Sequence, residues 1–256
     1  MKSINLSPDN IIDISGTSDG SQDKYKKDGI WYKIDGRKQE GFNEELVSRI
    51  LSCSNMSEDQ FVKYEQIFIN GQPGCCSPDF NKSGEEDISI YRLYANTHGG
   101  DIARLLATMD MDDAIEFTMN FVKEQTGLDI REYLANVLAL DQLILNTDRH
   151  MNNLCIIHDA INNKYRPAPI FDNGRSFFCG DKKYDDSISV SENMKHLVFR
   201  PFSASANLMV SYLRKYQTLK ISRNSLQRLV SQMTDGIAKS VLEYQLINHN
   251  IKTIID

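Results

Sequence analysis

The sequence predicts an α+β fold in two lobes, a small β-rich lobe over residues 1–95 and a mostly helical lobe over residues 96–256. Strand-like apolar runs separated by Gly-containing turns dominate the first part of the chain. After residues 98–100, which read His-Gly-Gly, apolar side chains recur at helical spacing. Asp and Asn side chains then flank two short apolar runs within residues 146–174, which places polar groups on loops held by rigid elements.

The first lobe is predicted to contain one helix among its strands. Residues 15–29 are polar and Gly-rich, and they precede Ile30–Ile34, whose apolar and aromatic residues are typical of a strand. Apolar positions at helical spacing predict a helix over residues 43–51. Two further strands are predicted at residues 61–69 and 88–94. A Gly-, Pro- and Cys-rich connection is predicted between them at residues 71–84.

Helices dominate the predicted second lobe. Asp101 is a suitable N-cap for a helix that carries Ile102, Leu105 and Leu106. The helix over residues 130–146 has a broad apolar face and ends where an Asp-containing loop begins. The remaining elements are helices at residues 110–125, 204–216, 222–234 and 238–248 and buried strands at residues 154–157 and 169–171.

Three polar side chains in these loops have the order that phosphoryl transfer needs. Asp148 lies in the run Asn-Thr-Asp-Arg-His-Met-Asn-Asn, Asn153 follows five residues later, and Asp172 follows Asn153 by 19 residues. In protein kinases the first Asp accepts the proton of the substrate hydroxyl, while the Asn and the second Asp hold Mg²⁺ against the phosphates of ATP. We therefore predict a phosphotransferase with the bilobed kinase fold, in which Asp148 is the catalytic base and Asn153 and Asp172 are metal ligands.

Each of these residues also has a simpler structural explanation. Asp148 follows a helix, where an Asp often makes local hydrogen bonds. Asp172, Asn173 and Gly174 form a common turn composition in which Gly174 can adopt a positive φ. An amide oxygen such as that of Asn153 is, however, a neutral hard ligand suited to Mg²⁺. The combination of all three on loops that flank a pair of strands favours the catalytic interpretation.

Two supporting charges are expected upstream of these loops. Lys33 lies in the strand Ile30–Ile34, downstream of the polar run Gly20-Ser21-Gln22-Asp23-Lys24. A buried ammonium needs a charged partner, and Glu44 and Glu45 on the predicted helix are both available. We predict that Lys33 contacts ATP and that one of the two glutamates pairs with it. The polar run lacks the Gly-x-Gly-x-x-Gly pattern and does not identify a phosphate loop by itself.

Taken together, these motifs resemble the HipA-like family of bacterial serine/threonine kinases, and most closely its short CtkA-type members. The resemblance is carried by Asn-Thr-Asp-Arg-His-x-x-Asn at residues 146–153 and by Ile-Phe-Asp-Asn-Gly-Arg-Ser at residues 170–176. Residues 200–202, Arg-Pro-Phe, are similar to a further segment of that family. The likeness extends over most of residues 15–205.

The resemblance implies roles for residues of the first lobe. It implies that the ATP-binding loop includes Gly20, Ser21, Gln22 and Lys24. It also implies that Glu44, in the helix corresponding to the family's αC region, is the partner of Lys33. The cofactors implied are ATP and Mg²⁺.

The resemblance further implies transfer of the ATP γ-phosphate to a Ser or Thr hydroxyl, with autophosphorylation in the phosphate loop at Ser15, Thr17, Ser18 or Ser21. Phosphatidylinositol kinases use a similar Asp-Arg-His-x-x-Asn loop, so a lipid or small-molecule kinase stays an alternative, as does a nucleotide-binding pseudokinase. HipA toxins carry an additional N-terminal domain and work with a DNA-binding antitoxin. That domain is not expected within these 256 residues.

Composition limits the partners. A net charge of −6 disfavours nucleic acid as the main partner. No stretch approaches the roughly 18 apolar residues of a membrane span, and no interfacial amphipathic helix stands out, so no membrane partner is expected. Five cysteines without a Cys-x-x-Cys pair predict reduced thiols in the cytoplasm. The expected partners are ATP and a protein that bears the Ser or Thr acceptor, and the oligomeric state is left open.

Overall fold

The structure is a computed structural model that describes residues 2–7, 24–36, 39–248 and 251–256. It has the α+β architecture that the sequence predicts, with a β-sheet near the N-terminus followed mainly by helices. The elements of the first part are β1 Lys2–Ile4, β2 Lys24–Lys27, β3 Ile30–Ile34, α1 Glu40–Leu51, β4 Glu65–Ile69 and β5 Gln72–Pro78.

These five strands form one sheet in the order β1-β4-β5-β3-β2. β1 pairs with β4 in parallel, and the other neighbours are antiparallel. The predicted connection over residues 71–84 is therefore wrong for half of its length, because β5 at Gln72–Pro78 runs through it at the centre of the sheet. A Cβ at Gly74 would clash with the carbonyl oxygen of Lys33, so this glycine permits close approach of two strands rather than a turn.

The alternation of side chains along β3 separates its apolar residues from its lysine. Tyr32 and Ile34 are buried in a cluster on one face of the sheet, where they pack with Ile67 and Ile69. Because successive side chains of a strand point to opposite faces, Lys33 lies on the other face, the one covered by α1. The period of the strand thus directs one ammonium group toward the interior of the molecule.

Helix α1 begins earlier than the sequence predicts and lies close against the sheet. Gln39 precedes it in the left-handed region with φ 76°, and the backbone N–H of Gly41 donates to Oδ1 of Asp35 at 2.8 Å. A Cβ at Gly41 would lie 2.6 Å from the backbone carbon and oxygen of Gly74. Only glycine therefore allows this first turn to approach β5 so closely.

The second part of the molecule contains most of the helices and a small three-stranded sheet. Its elements are β6 Glu85–Ser89, α2 Ile90–His98, α3 Ile102–Leu106, α4 Met111–Thr126, α5 Arg131–Ile144, β7 Cys155–Asp159, β8 Lys164–Pro167, α6 Val190–Asn193, α7 Ala206–Leu213, β9 Ile221–Ser222, α8 Arg223–Ser231, α9 Ile237–Ile247 and β10 Ile254–Ile255. The sheet is antiparallel in the order β6-β7-β8. Short 3₁₀ turns extend α6 and α7 at Met194–His196 and Arg214–Tyr216.

The predicted helices are confirmed, but two predicted strands are wrong. Asp101 caps α3 by accepting from the N–H of Ala103 at 2.9 Å, as expected. The strand predicted over residues 88–94 ends at Ser89, whose hydroxyl accepts from the N–H of Arg92 and starts α2. The strand predicted over residues 169–171 is an extended segment with a single bridge between Ile170 and Phe61.

Helix α5 forms the centre of the second part. Every residue from 133 to 144 is buried, and the side-chain amide of Gln245 in α9 donates to the carbonyls of Gln142 and Leu143. The loop that carries Asp148 follows this helix directly, so the buried helix fixes the position of the first residues of the loop.

One hydrophobic cluster extends from α1 to α9, and β6 pairs with β7 across the predicted lobe boundary. Division of the chain at residue 95 stays a prediction. Among the described residues, no helix combines the length and apolar character needed to cross a membrane.

Candidate active site

Lys33 is the meeting point of three polar side chains from different elements. Its ammonium lies 3.2 Å from Oε1 of Glu44 in α1 and 3.0 Å from Oδ1 of Asp172. The hydroxyl of Tyr64 lies 3.4 Å from the same nitrogen. Glu45, the other glutamate considered from the sequence, accepts instead from the backbone N–H of Gln66 at 2.9 Å. Of the two, Glu44 is thus the partner of Lys33.

The charges at this site are set by one cation between two carboxylates. Burial by itself lowers the pKa of Lys33, but the negative charges of Asp172 and Glu44 outweigh it and raise that pKa well above its ordinary value. Burial likewise raises the pKa of Asp172, but the positive charges of Lys33 and Lys24 outweigh it and hold that pKa below its ordinary value. Glu44 is buried beside Asp172, so its pKa is raised despite Lys33. The two cations therefore favour the ionised form of Asp172.

The turn that carries Asp172 is fixed against α1. Asp172 itself adopts the left-handed conformation with φ 59°, whereas Gly174, the residue predicted to be free to take a positive φ, does not adopt one. A small residue is favoured at position 174 for a different reason, because a Cβ on Gly174 would lie 3.2 Å from Cβ of Glu40. The backbone N–H of Asn173 donates to Oε2 of Glu44 at 2.9 Å, and the side chain of Asn43 donates to the Gly174 carbonyl.

A buried arginine joins the two loops that carry the predicted catalytic residues. Arg149 is fully buried, and its guanidinium donates to both oxygens of Asp141, each at 3.0 Å. The same group donates to the Phe171 carbonyl at 2.8 Å and to Oδ1 of Asn173 at 2.7 Å. It also reaches the carbonyl of Asn153 at 3.4 Å. A buried guanidinium needs such complete pairing, and here the pairing holds the two loops together.

Asp148 lies on the loop that Arg149 secures, with its carboxylate about one-third exposed. Its backbone N–H donates to Oδ1 of Asn146 at 3.1 Å, and its carbonyl accepts from the side chain of Asn153 at 3.3 Å. Guanidinium groups of Arg175 and Arg200 lie 3.7 and 3.8 Å from its two carboxylate oxygens. The carboxylate is thus accessible and flanked by two cations.

The side chains of Asn153 and Asp172 fit a magnesium ion. Oδ1 of Asn153 is buried and has no hydrogen-bond partner among the described residues, which is the state expected of an oxygen reserved for a ligand. Asp172 provides an ionised carboxylate. In the described part of the chain, no three His, Cys, Asp or Glu side chains cluster as a self-sufficient metal site. Mg²⁺ in nucleotide sites needs only one or two protein ligands, because phosphates and water supply the others.

A cleft of about 840 Å³, open to solvent, lies beside these groups. Lys24, Lys33 and Asp172 line it together with the rings of Phe80 and Phe171, whose centroids are 5.6 Å apart. Lys24 in β2 lies opposite Lys33 in the neighbouring strand β3. Burial lowers the pKa of the Lys24 ammonium. The cleft thus combines cations with an apolar wall. The other predicted phosphate-loop residues, Gly20, Ser21 and Gln22, lie outside the described residues, as do the predicted autophosphorylation candidates.

Several residues of the site are absent from the sequence prediction. Tyr64 contacts Lys33 with both its hydroxyl and its ring, and Asp141 neutralises Arg149 from within α5. Asp141 could have been suspected from the requirement that a buried Arg needs a carboxylate, since it is an acidic residue inside an apolar helix. No local pattern indicates Tyr64, because only the pairing of strands brings it to Lys33.

Comparison with known proteins establishes the fold. The crystal structure of the Helicobacter pylori proinflammatory kinase CtkA superposes with a TM-score of 0.60 at 14% identity, covering 95% of this chain and 93% of that chain. This chain has the fold of CtkA. The predicted resemblance to the CtkA type is thereby confirmed at the level of the fold.

Other comparisons are weaker or negative. A chain in the structure of the Shewanella oneidensis MR-1 toxin–antitoxin system of HipA, HipB and its operator DNA gives a TM-score of 0.43 at 12% identity. That alignment covers 94% of this chain and 64% of the other, so the present chain spans less than two-thirds of it. No protein-family model matches the sequence, and no curated protein sequence matches it significantly.

Proposed function

We propose that this protein is an Mg-ATP-dependent kinase that transfers the γ-phosphate to a Ser or Thr hydroxyl of a protein. The observation that carries the proposal is the convergence of Lys33, Glu44 and Asp172 in one ion-paired cluster, beside the loop of Asp148 and Asn153. These are the groups that kinase chemistry requires, and they come from four separate segments of a chain with the fold of a kinase.

Asp148 is the proposed base. The acceptor hydroxyl oxygen forms a new bond to the γ-phosphorus, the bond from that phosphorus to the oxygen bridging the β- and γ-phosphates breaks, and ADP leaves. The hydroxyl proton passes to the Asp148 carboxylate. The exposure of Asp148, at one-third of its side chain, supports this role because an acceptor can reach it.

Lys33 and Lys24 are the proposed contacts to the ATP phosphates, since both ammonium groups line the cleft. Asn153 and Asp172 would hold Mg²⁺. The ion supplies positive charge that offsets the negative charge of the phosphates. Arg149 is a positioning residue, because it contacts the backbone of both ligand-bearing loops and none of the cleft-lining groups of β2 and β3.

A protein acceptor is proposed in preference to a lipid. The net charge of −6 disfavours approach to the anionic surface that a phosphoinositide-containing membrane presents. Autophosphorylation at Ser15, Thr17, Ser18 or Ser21 is proposed from the resemblance to the family. A cytoplasmic location is proposed from the odd number of cysteines and the lack of a Cys-x-x-Cys pair.

The test offers radiolabelled ATP to the purified protein alone, with general protein acceptors, and with phosphatidylinositol vesicles, each with and without excess EDTA. The proposal predicts Mg²⁺-dependent label on protein, recovered as phosphoserine or phosphothreonine. Label confined to lipid would overturn the assignment of the acceptor. Binding of Mg-ATP without transfer to any acceptor would overturn the assignment as a kinase and leave a nucleotide-binding protein.

A further inference from the structure

A second cavity, open to solvent, borders the loop that carries Asp148. It has a volume of about 770 Å³, and Thr147, the neighbour of the proposed base, is among its lining residues. Its lining residues and those of the nucleotide cleft do not overlap. Asn152 of the same loop lines the nucleotide cleft, so both sites border the loop of the proposed base. This is the arrangement expected for a donor site and an acceptor site. We call this second cavity the acceptor groove.

The acceptor groove is rich in positive charge. Arg175, Lys182 and Lys183 line it, and both lysines are exposed. Among the described residues that line it, the single carboxylate is that of Asp181, which lies 2.6 Å from Nε2 of His196 and is therefore occupied locally. The acidic pair at residues 185–186 follows the lysines in sequence but does not line the groove.

Two guanidinium groups extend this charge to the catalytic Asp. Arg175 and Arg200 approach the carboxylate of Asp148 at 3.7 and 3.8 Å, which are longer than hydrogen bonds. Nε of Arg175 is buried and has no hydrogen-bond partner in the part of the chain that the structure describes. The Arg175 side chain as a whole is 31% exposed, so its guanidinium is accessible to an anionic side chain in the groove.

We propose that the acceptor groove selects protein segments in which acidic side chains flank the Ser or Thr that receives the phosphate. This inference rests on the proposed kinase function. The hydroxyl must approach Asp148, whose own negative charge repels an acidic segment, and Arg175 and Arg200 offset that repulsion. With a net charge of −6 the protein as a whole also repels such segments. The local cations therefore have a specific use, since they make one region favourable to anionic side chains.

The walls of the groove also suit an extended peptide. Leu197 and Val198 line it, and Val198 is 63% exposed, although it lies beside charged residues. An apolar strip next to a row of cations matches a segment that alternates acidic and apolar side chains. A free phosphate or nucleotide would use the cations and leave this strip without a partner.

Binding measurements test the inference without relying on catalysis. Three fluorescent peptides carry one Ser and differ only in whether its neighbours are Glu, Gln or Lys. Fluorescence anisotropy should show the Glu peptide binding roughly tenfold more tightly than the Gln peptide, and the Lys peptide binding most weakly. The preference should decline as salt is raised, because the groove is open to solvent.

Charge reversal in the groove supplies the decisive comparison. The double variant Lys182→Glu/Lys183→Glu should invert the order and favour the Lys peptide. The matched control Lys220→Glu/Lys252→Glu makes the same change in net charge at exposed lysines that do not line the groove, and it should keep the wild-type order. Equal binding of the Glu and Lys peptides to the wild type would overturn the inference. So would an equal loss of preference in the control, which would indicate a non-specific effect of net charge.

The same peptides separate failure of the inference from failure of the kinase assignment. Preferential binding of the Glu peptide without transfer of label from Mg-ATP would contradict the assignment as a kinase. It would still support the preference of the acceptor groove for acidic segments. Transfer of label at the same efficiency to all three peptides would establish a kinase and overturn the acidic specificity.

Discussion

The ammonium of Lys33 lies 3.0 Å from Oδ1 of Asp172, although 139 residues separate them in the sequence. Lys33 belongs to β3 of the N-terminal sheet and Asp172 to a loop of the second part, so the pair joins the two sides of the cleft. Glu44 completes the arrangement, because one of its oxygens accepts from Lys33 and the other from the backbone of Asn173. The groups proposed to bind phosphate and metal are therefore held in register by contacts within the protein.

Replacement of Lys33 by Met removes this cation and keeps most of the side-chain volume. We expect phosphate transfer to fall roughly 100- to 1,000-fold, as is typical when one electrostatic donor is removed from a catalytic site. Initial rates with radiolabelled Mg-ATP measure the change. The control Lys63→Met, at an exposed ion pair with Glu58, should keep the wild-type rate. A similar loss in both variants would contradict a specific role for Lys33.

Replacement of Arg149 by Met should destabilise the whole fold. It leaves the Asp141 carboxylate buried without its cation, which typically costs about 3–5 kcal/mol in the free energy of unfolding. Urea denaturation measures this value. The double variant Arg149→Met/Asp141→Leu removes both charges and should recover part of the loss. Stability of the double variant below that of the single one would show that unpaired charge is not the cause.

The variant Asp172→Asn should reveal a contribution to stability that depends on pH. Burial raises the pKa of Asp172, but Lys33 and Lys24 outweigh this and leave it lower in the folded protein than the ordinary value of about 4. Such a group stabilises the fold above its unfolded pKa, and this contribution is lost as pH falls through the folded pKa.

The difference in unfolding free energy between the wild type and Asp172→Asn should thus be constant above about pH 5 and shrink below about pH 4. Urea denaturation over a series of pH values checks this. A difference that grows toward acid pH would show that the carboxylate is not held ionised by the cations.

The variant Gly41→Ala should destabilise the protein through the contact between α1 and β5. The added Cβ would lie 2.6 Å from the backbone of Gly74, which cannot rotate away, so α1 must shift. Overpacking of this kind typically costs about 1–3 kcal/mol. Gly236→Ala is the matched control, because a Cβ there meets nothing within 4 Å. Equal midpoints of urea denaturation for the two variants would contradict the close contact.

The sequence predicts the parts of the site that depend on local pattern. Asp148 stands out because it follows a helix of clear periodicity, Asp172 because it follows a short apolar run, and Lys33 because it interrupts an apolar strand. The αL conformation of Asp172 and the packing of Gly174 on Glu40 are not predictable in this way. They depend on where α1 lies relative to a turn more than a hundred residues away.

Errors in the predicted elements also have local causes. Strand β5 contains Gly74, Cys75 and Cys76, a composition that is unusual for a central strand and is tolerated because its neighbours pack so closely. The hydroxyl of Ser89 accepts from the backbone N–H of Arg92 and caps α2, so the run predicted as a strand over residues 88–94 becomes helical after Ser89. Periodicity over so short a run does not distinguish the two states.

Phosphate transfer from radiolabelled Mg-ATP by the wild type and by Asp148→Asn tests the central claim most directly. Asp235→Asn is the matched control, since the side chain of Asp235 is 98% exposed in a surface ion pair with Lys239. We predict label on Ser or Thr in the wild type and the control. We also predict a loss of roughly 100- to 10,000-fold in Asp148→Asn with Mg-ATP binding retained. Transfer by Asp148→Asn at the wild-type rate would contradict the claim that this carboxylate is the catalytic base.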